Sequence, residues 1–414
     1  MLRGLTNKLK VLIVAQGLYN IPFSFCSQYN MLFAQALGAS GGNIGLITAI
    51  SALAMLIVSP LLGLALERHS LKKIMILGLV CDTFALAIFA LAGKWWMLIP
   101  GFILYGQLIR QVSIMDIFLI TVTEPDRRGT LMGVSRVTWG VTGISASLIA
   151  AAVVTYFGGI NAQGIRPLYY ISIILLLFIT IMVFFGLDET GLSNNRKNET
   201  LEKESGIREY LKFFKGEKHI KQWIIIRLCR DGFMSLQAIF VPLWIVNFKN
   251  ADAAMLGVLS TLSATSSMLM HIPAGKLADK IGRKKTFFLF SSLYCLGIIT
   301  LILAPSFEFL VLACILGWGM GGMGGVALTI LITMWWEGIS TENRGKLYGV
   351  EGIISASSRI PLTAIGGVLW DKGLQTLVLT LPVLAELFIV IPVMYTVPET
   401  FKNKNDLSVG GSRI

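Results

Sequence analysis

Charged residues are scarce in this chain. Only 14% of its 414 residues are Asp, Glu, Lys or Arg, whereas a soluble domain carries roughly 25%. Hydrophobic residues make up 55%, and the mean hydropathy is +0.73. A water-soluble fold has too little interior to hide that much apolar surface, so the composition excludes a soluble globular protein and indicates an integral membrane protein.

Cysteine and histidine are also sparse, with five and three residues. An odd number of scattered cysteines excludes a disulfide framework, and the spacing matches no metal-binding motif. We therefore expect no metal and no cofactor. An enzyme is disfavoured because the sequence shows no nucleophile with a base. The cysteines and histidines are Cys26, Cys81, Cys229, Cys295, Cys314, His69, His219 and His271.

The formal net charge of +12 would fit a nucleic-acid partner only if the basic residues formed a patch on a soluble domain. Instead they lie between apolar runs. If the N-terminus is cytoplasmic, the cytoplasmic segments hold 26 of the 35 Lys and Arg residues and the external loops hold four. The positive-inside rule then places both termini in the cytoplasm of a multi-pass protein of the cell membrane. The excess charge also favours contact with anionic lipid rather than nucleic acid.

Three segments of the first half recur in the second half, in the same order and 212 to 216 residues later. Long internal periods identify a duplicated architecture. The pairs are Ile44–Met55 with Leu256–Ser267, Gly63–Lys73 with Gly275–Lys285, and Arg128–Val134 with Arg344–Val350.

About 20 apolar residues are needed to cross a bilayer, and the apolar runs predict twelve spans. They lie near 11–35, 43–66, 74–92, 96–123, 131–158, 167–187, 222–247, 254–275, 286–304, 308–336, 347–370 and 375–397. The chain thus divides into an N-terminal six-helix bundle (1–187), a cytoplasmic linker (188–221), a C-terminal six-helix bundle (222–398) and a cytoplasmic tail (399–414).

The segment between the eighth and ninth spans resembles a loop motif of the major facilitator superfamily of secondary transporters, Gly-x-x-x-Asp-x-x-Gly-Arg-Lys. It matches at Gly275, Asp279, Gly282, Arg283 and Lys284. The resemblance covers the whole length. It implies an all-α integral membrane fold of twelve helices in two pseudo-symmetric bundles that rock about a central site for a small molecule, and a chain that can work as a monomer.

The first-half copy of this loop departs from the motif, with Glu67 in place of aspartate. In addition, Glu337 and Arg344 resemble the Glu-x6-Arg pattern of sugar porters in the same superfamily. We expect Glu67, Asp279, Arg283, Glu337 and Arg344 to form a cytoplasmic gate. The alternative is that these charges serve topology alone.

Charges inside spans are costly and usually face a cavity or a partner. Arg110 and Arg359, one from each half, predict a positive central cavity that receives an anionic group. The alternative is that Asp116 and Glu351 neutralise them. The full set of predicted substrate-binding residues is Arg110, Arg359, Gln107, Gln111, Tyr19, Asn20 and Gln237.

Proton coupling is predicted at Asp116, Glu351, Asp231 and Arg136, with permanent ion pairs as the alternative. Asp116 and Arg136 lie at similar depths in neighbouring spans, so we expect them to pair. Arg227 and Asp231 are four residues apart on one predicted helix and can also pair.

Several other intramembrane residues carry less weight. Asp82 and Glu386 are weaker candidates because the resemblance to the major facilitator superfamily implies that their spans are peripheral. Trp335 and Trp336 are expected at the headgroup level, where tryptophan is enriched.

The sequence thus predicts a secondary transporter of a small organic, anionic solute, with protons as a candidate coupling ion. Proton-driven multidrug efflux is the first alternative. A non-transporting membrane sensor or scaffold is the second.

Overall fold

The computed structural model describes residues 7–106, 114–123, 128–188, 219–317, 322–338 and 344–399. These residues form helices and connecting turns, with no strand among them. The helices are α1 (Asn7–Ala36), α2 (Gly41–Arg68), α3 (Leu71–Leu91), α4 (Leu98–Leu104), α5 (Ile114–Val122), α6 (Arg128–Tyr156), α7 (Ala162–Gly186), α8 (Ile220–Lys249), α9 (Ala253–Ile281), α10 (Arg283–Leu303), α11 (Phe307–Gly317), α12 (Gly322–Gly338), α13 (Arg344–Asp371), α14 (Gln375–Ala385) and α15 (Ile391–Thr396), with a π-helical turn at Glu386–Val390.

Ten helical segments found in the described part of the chain are long and apolar enough to cross a membrane. The 30-residue α8 is not among the ten, and it carries Arg227, Arg230 and Asp231 in its interior. Helices α4 and α5 flank residues 107–113, which lie outside the description, within the fourth predicted span. The membrane-spanning α-helical class is therefore confirmed, while the count of twelve stays a prediction.

Helices at matching positions in the two halves have nearly equal lengths. Helices α1 and α8 both have 30 residues, α3 and α10 both have 21, and α6 and α13 have 29 and 28. Polar side chains start several of them: the Ser40, Ser70 and Asp252 oxygens each accept a backbone N–H of the first turn. Such caps satisfy donors that have no partner within the helix.

One lysine contact recurs in both halves. Lys72 Nζ donates to Leu187 O over 2.6 Å and lies 5.3 Å from the centre of the Phe184 ring. Lys284 Nζ donates to Val397 O over 2.7 Å and lies 5.9 Å from the Tyr395 ring. In each half a lysine at the start of the third helix thus anchors the end of the last helix, which supports the sequence duplication with a three-dimensional repeat.

The predicted loop at Gly275–Lys285 is mostly helical. Helix α9 continues through Ile281, about two turns past the predicted end, and Gly282 alone makes the turn with φ +97°. Glycine suits that backbone conformation because it has no Cβ. The span predicted from polarity ends earlier because polarity marks where a helix leaves the bilayer, and the helix itself does not have to end there. The end of the bundle that carries this turn is called the Gly282 end.

Candidate functional site

The two halves are tied together at the opposite end of the bundle, called the Asp371 end. The carboxylate of Asp371, at the end of α13, accepts three hydrogen bonds from the start of α2. The donors are Ser40 Oγ at 2.8 Å, Gly41 N at 2.7 Å and Gly42 N at 2.8 Å. An acid of one half thus caps a helix of the other, where the helix dipole favours negative charge.

Close backbone packing supports this closure. A Cβ added to Gly45 on α2 would stand 2.4 Å from Thr363 O on α13, and one added to Gly257 on α9 would stand 2.3 Å from the Ala151 side chain on α6. Small residues allow membrane helices to approach this closely. The α2–α13 and α6–α9 seams are therefore shut near the Asp371 end.

The α6–α9 seam opens towards the Gly282 end. Going along it, Thr261 lies 3.5 Å from Ile144 O, and a Cβ on Gly140 would lie 3.0 Å from Met268 Sδ. Further on, the two helices present Gly133 and Gly275, and no atom of the described residues stands within 4 Å of a Cβ at either. The space between these diverging helices is called the cleft.

Arg136 lies one turn beyond Gly140 on α6, where the cleft begins. Its Nη2 donates to Asp116 Oδ2 over 2.9 Å, and its side chain is 64% exposed whereas that of Asp116 is 12% exposed. Gln16 of α1 donates to the other Asp116 oxygen over 2.8 Å and accepts from Ser135 over 2.6 Å. The predicted Asp116–Arg136 pair is present: the carboxylate is buried, and the guanidinium is exposed where the cleft begins.

Tyr19, Asn20 and Gln237, three predicted substrate residues, are buried between helices. Tyr19 donates to Asp82 Oδ2 over 2.7 Å, and Asn20 donates to Trp139 O over 2.6 Å. Gln237 is fully buried. In this conformation the polar groups of Tyr19 and Asn20 serve helix–helix contacts, and a substrate role for all three residues stays a prediction.

The predicted arginine pair is described only in part. Arg359 is half-buried on α13, one turn from Thr363 on the side that packs against α2. Arg110, Gln107 and Gln111 lie outside the described residues. The backbone of Glu351 is helical, but its side chain is outside the description.

The predicted Arg227–Asp231 pair is also present on α8. Arg227 Nη2 lies 3.0 Å from Asp231 Oδ2, and both side chains are less than 10% exposed. The guanidinium also lies 4.9 Å from the centre of the Trp335 ring, which stacks on Trp223 at 6.5 Å. Trp335 is fully buried, so it does not anchor the protein in the lipid headgroups as predicted; cation–π contact and packing hold it inside the protein.

Arg230 and Glu386 form a buried ion pair that the sequence analysis did not predict. Their side chains are 1% and 3% exposed, and Ser291 donates to the same carboxylate. The Arg230 guanidinium lies 5.3 Å from the Phe287 ring and 5.7 Å from the Tyr294 ring.

The general rule that intramembrane charges have partners signalled both Glu386 and Asp82. Their buried contacts were nevertheless not predicted, because their helices were expected to be peripheral. Asp82 is likewise buried. Its carboxylate accepts hydrogen bonds from the Tyr19 hydroxyl and, over 2.6 Å, from Gly106 N.

Only part of the predicted gate can be located. Asp279 is exposed at the Gly282 end, and the neighbouring Arg283 is half-buried. The Glu399 carboxylate accepts from Arg283 N over 3.1 Å and from Lys284 N over 3.0 Å, which caps α10. The side chains of the remaining predicted gate residues, Glu67, Glu337 and Arg344, are outside the description.

Known proteins with similar sequences include two multidrug resistance proteins. Multidrug resistance protein 2 of Bacillus subtilis is 22% identical over 83% of this chain and 84% of its own length. Multidrug resistance protein MdtG of Salmonella typhi is 23% identical over 64% of each chain.

Solved structures with the same fold include three transporters. A mutant of the nucleoside transporter NupG has a TM-score of 0.77 at 14% identity and covers 96% of this chain and 100% of its own. A bacterial homolog of the human lysosomal transporter Spinster, inward-facing and occupied, has a TM-score of 0.70 at 13% identity, over 94% and 95% of the two chains. A bacterial homologue of the iron transporter ferroportin, inward-facing, has a TM-score of 0.68 at 13% identity, over 95% and 100%.

A family model described as Major Facilitator Superfamily matches residues 19–230 and 223–412. The matched ranges cover most of the chain and both halves of the repeat. At identities this low the solved structures establish the fold and leave the solute open. The chain belongs to the major facilitator superfamily and is a multi-pass membrane protein of the secondary transporter class.

Proposed function

We propose that this protein moves a small organic solute with an anionic group across the cell membrane, by alternating access and coupled to protons. The observation that carries the proposal is the Asp116–Arg136 pair at the cleft. A guanidinium cannot lose its charge in this setting and offers forked donors to a carboxylate or phosphate. Arg136 is 64% exposed and lies on α6 where the cleft begins.

The coupling step follows from the same pair. An anion that binds Arg136 competes with Asp116 for its donors. Asp116 is buried and loses its cationic partner in that exchange, and a proton taken up by the carboxylate would neutralise the charge that is left. A proton and an anion then occupy the site together, and their net charge is small enough for the halves to close around them.

Alternating access rests on the contrast between the two ends. The Asp371 end is held by hydrogen bonds and glycine packing, while the α6–α9 seam diverges towards the Gly282 end. With both termini in the cytoplasm, as the basic residues predict, the open end faces the cytoplasm. The second state of the cycle requires the Asp371 contacts to break and the cleft to close.

Proton-driven multidrug efflux is the second candidate. It is favoured by the names of the relatives, two multidrug resistance proteins, and by the buried carboxylate of Asp116. In that case Asp116 would exchange a proton for a cationic drug, and Arg136 would stabilise the empty, ionised site.

A flux measurement on the purified full chain in liposomes separates these functions. The solutes are succinate, lactate and benzoate as anions, glucose as a neutral solute and ethidium as a cation, each with and without an imposed pH gradient. We expect accumulation of at least one anion that depends on the gradient. Accumulation of ethidium alone would establish efflux instead, and no flux of any solute would support a non-transporting sensor.

Variants assign the roles within the site. Arg136→Gln removes charge-assisted hydrogen bonds worth about 1.5–3 kcal/mol, so anion flux at low concentration should fall about 10- to 100-fold. Asp116→Asn should leave flux that no longer responds to the pH gradient. Lys94→Gln, which removes one positive charge from an exposed position outside the cleft, is the matched control and should behave as the parent protein.

A further inference from the structure

His271 lies on α9, the helix that faces α6 and its Arg136 across the cleft. Ser267 and Ala274 mark the buried face of α9, and Met268 marks the face that contacts α6. At 3.6 residues per turn, position 271 falls between these two faces. Leu269 and Ile272, which are 66% and 70% exposed, project on the other side of the helix. The exposed imidazole therefore borders the space between the two halves.

The contacts along the α6–α9 seam fix the level of His271. Along the seam, residues of increasing number on α9 contact residues of decreasing number on α6, because the two helices run in opposite directions. The last of these contacts joins Met268 and Gly140. Three to four residues further, α9 presents His271 and α6 presents Arg136. This register places the two residues at the same level on facing helices, one from each half.

The hydrogen bonds of His271 suit both of its charge states. Its Nδ1 contacts Ser267 O, and because a carbonyl can only accept, Nδ1 carries a proton. Its Nε2 lies 3.0 Å from Thr329 Oγ1 on α12, and that hydroxyl also lies 3.0 Å from Gly325 O. In neutral His271 the hydroxyl donates to Nε2. In the charged form the hydroxyl turns to Gly325 O and accepts from Nε2–H, so a proton is gained without any loss of hydrogen bonding.

Few other charges lie near this imidazole on the helices that pack against α9. Helix α6 carries Arg136 and, two turns nearer the Gly282 end, Arg128. Helix α12 carries only Glu337, two turns beyond Thr329. The charges of α10 and α11 are confined to their first turns, and α9 itself has Lys276, Asp279 and Lys280 towards the Gly282 end. Helix α8 contributes Arg227 and Asp231, which pair with each other, Arg230, which pairs with Glu386, and Lys221 and Lys249 near its two ends.

We propose that His271 is a second proton-binding residue of the cleft, and that its charged form completes with Arg136 a two-sided site for the anionic group of the solute. This proposal rests on the proposed function. It adds that the anion is held by one cation from each half, so that its binding draws α6 and α9 together at the open end. Unlike the guanidinium of Arg136, an imidazole can gain and lose its charge, so the second cation is present only when His271 carries the extra proton.

Nuclear magnetic resonance of the full chain with 13C-labelled histidine tests the proton site directly. The chain has three histidines, and loss of one signal in His271→Gln assigns the resonance, with His271→Asn as a second variant should the first fail to fold. Spectra are recorded over a pH series from about 5 to 8, and we expect the His271 signal to change as the imidazole gains a proton. Arg136→Gln removes the opposing positive charge and should shift the midpoint of that change.

Lys94→Gln is again the charge-matched control and should leave the midpoint unchanged. A His271 signal that does not change over this range, or a midpoint that ignores Arg136→Gln, would overturn the proton site. For the panel anion that is moved fastest, His271→Gln should flatten the fall of KM on acidification while kcat changes less. An unchanged KM profile would overturn the shared anion site. A titrating His271 in a protein that moves none of the solutes would instead refute the proposed function and leave the proton site standing.

Discussion

The contact of Asp371 with the start of α2 gives a direct measure of how firmly the closed end is held. Replacing Asp371 by alanine removes all three hydrogen bonds, from Ser40, Gly41 and Gly42. Hydrogen bonds to charged groups contribute about 1.5–3 kcal/mol each, but Asp371 is exposed, and solvent and salt reduce its share. A total of about 2 kcal/mol is a reasonable figure, and it corresponds to an increase of about 30-fold in the open population of this end.

Alkylation of a buried cysteine reports that population even when it is small. Thr363 is 2% exposed in the α2–α13 seam next to Gly45. In a background without the five native cysteines, Thr363→Cys should react slowly with a membrane-impermeant maleimide. Its rate follows the fraction of time that the seam is open. We expect Asp371→Ala to speed the reaction about 30-fold and Asp371→Asn to have a smaller effect, because one amide oxygen still accepts.

Asp252→Asn supplies the control. Asp252 lies at the same end and caps α9 through Met255 N over 2.7 Å, within its own half. Asparagine caps about as well as aspartate, so this variant loses the same charge without losing a contact between the halves, and its rate should equal that of the parent. The reasoning is refuted if Asp371→Ala changes the rate by less than about twofold, or if Asp252→Asn has the same effect.

Two further variants test the packing. Arg230→Met leaves Glu386 buried without its cation, which should destabilise the protein by about 3–5 kcal/mol, and adding Glu386→Leu should restore much of that loss. Thermal unfolding in detergent micelles measures the stability of both variants. A double variant that is no more stable than the single variant would contradict a paired role. Gly257→Val places atoms where Ala151 already stands, at 2.3 Å, and should open the closed seam by the same alkylation assay. Gly133→Ala, which meets no described atom within 4 Å, should leave the rate unchanged.

The sequence by itself determined the membrane class, the duplication and the approximate ends of most helices. These features depend on local quantities, because the length of an apolar run and the position of basic residues reflect the bilayer rather than any partner. It also identified two ion pairs. Arg227 and Asp231 share one helix, where a spacing of four residues sets the contact. Asp116 and Arg136 lie at matching depths in consecutive predicted spans.

Only the tertiary structure decided which residues from distant spans meet. The buried Arg230–Glu386 pair joins residues 156 positions apart, and Asp371 reaches the start of α2 across 330 residues. No periodicity in the sequence encodes such contacts, since they depend on how the two halves are placed against each other. In the sequence His271 is an isolated histidine for the same reason. Its hydrogen-bond partner Thr329 lies on another helix, 58 residues further along the chain.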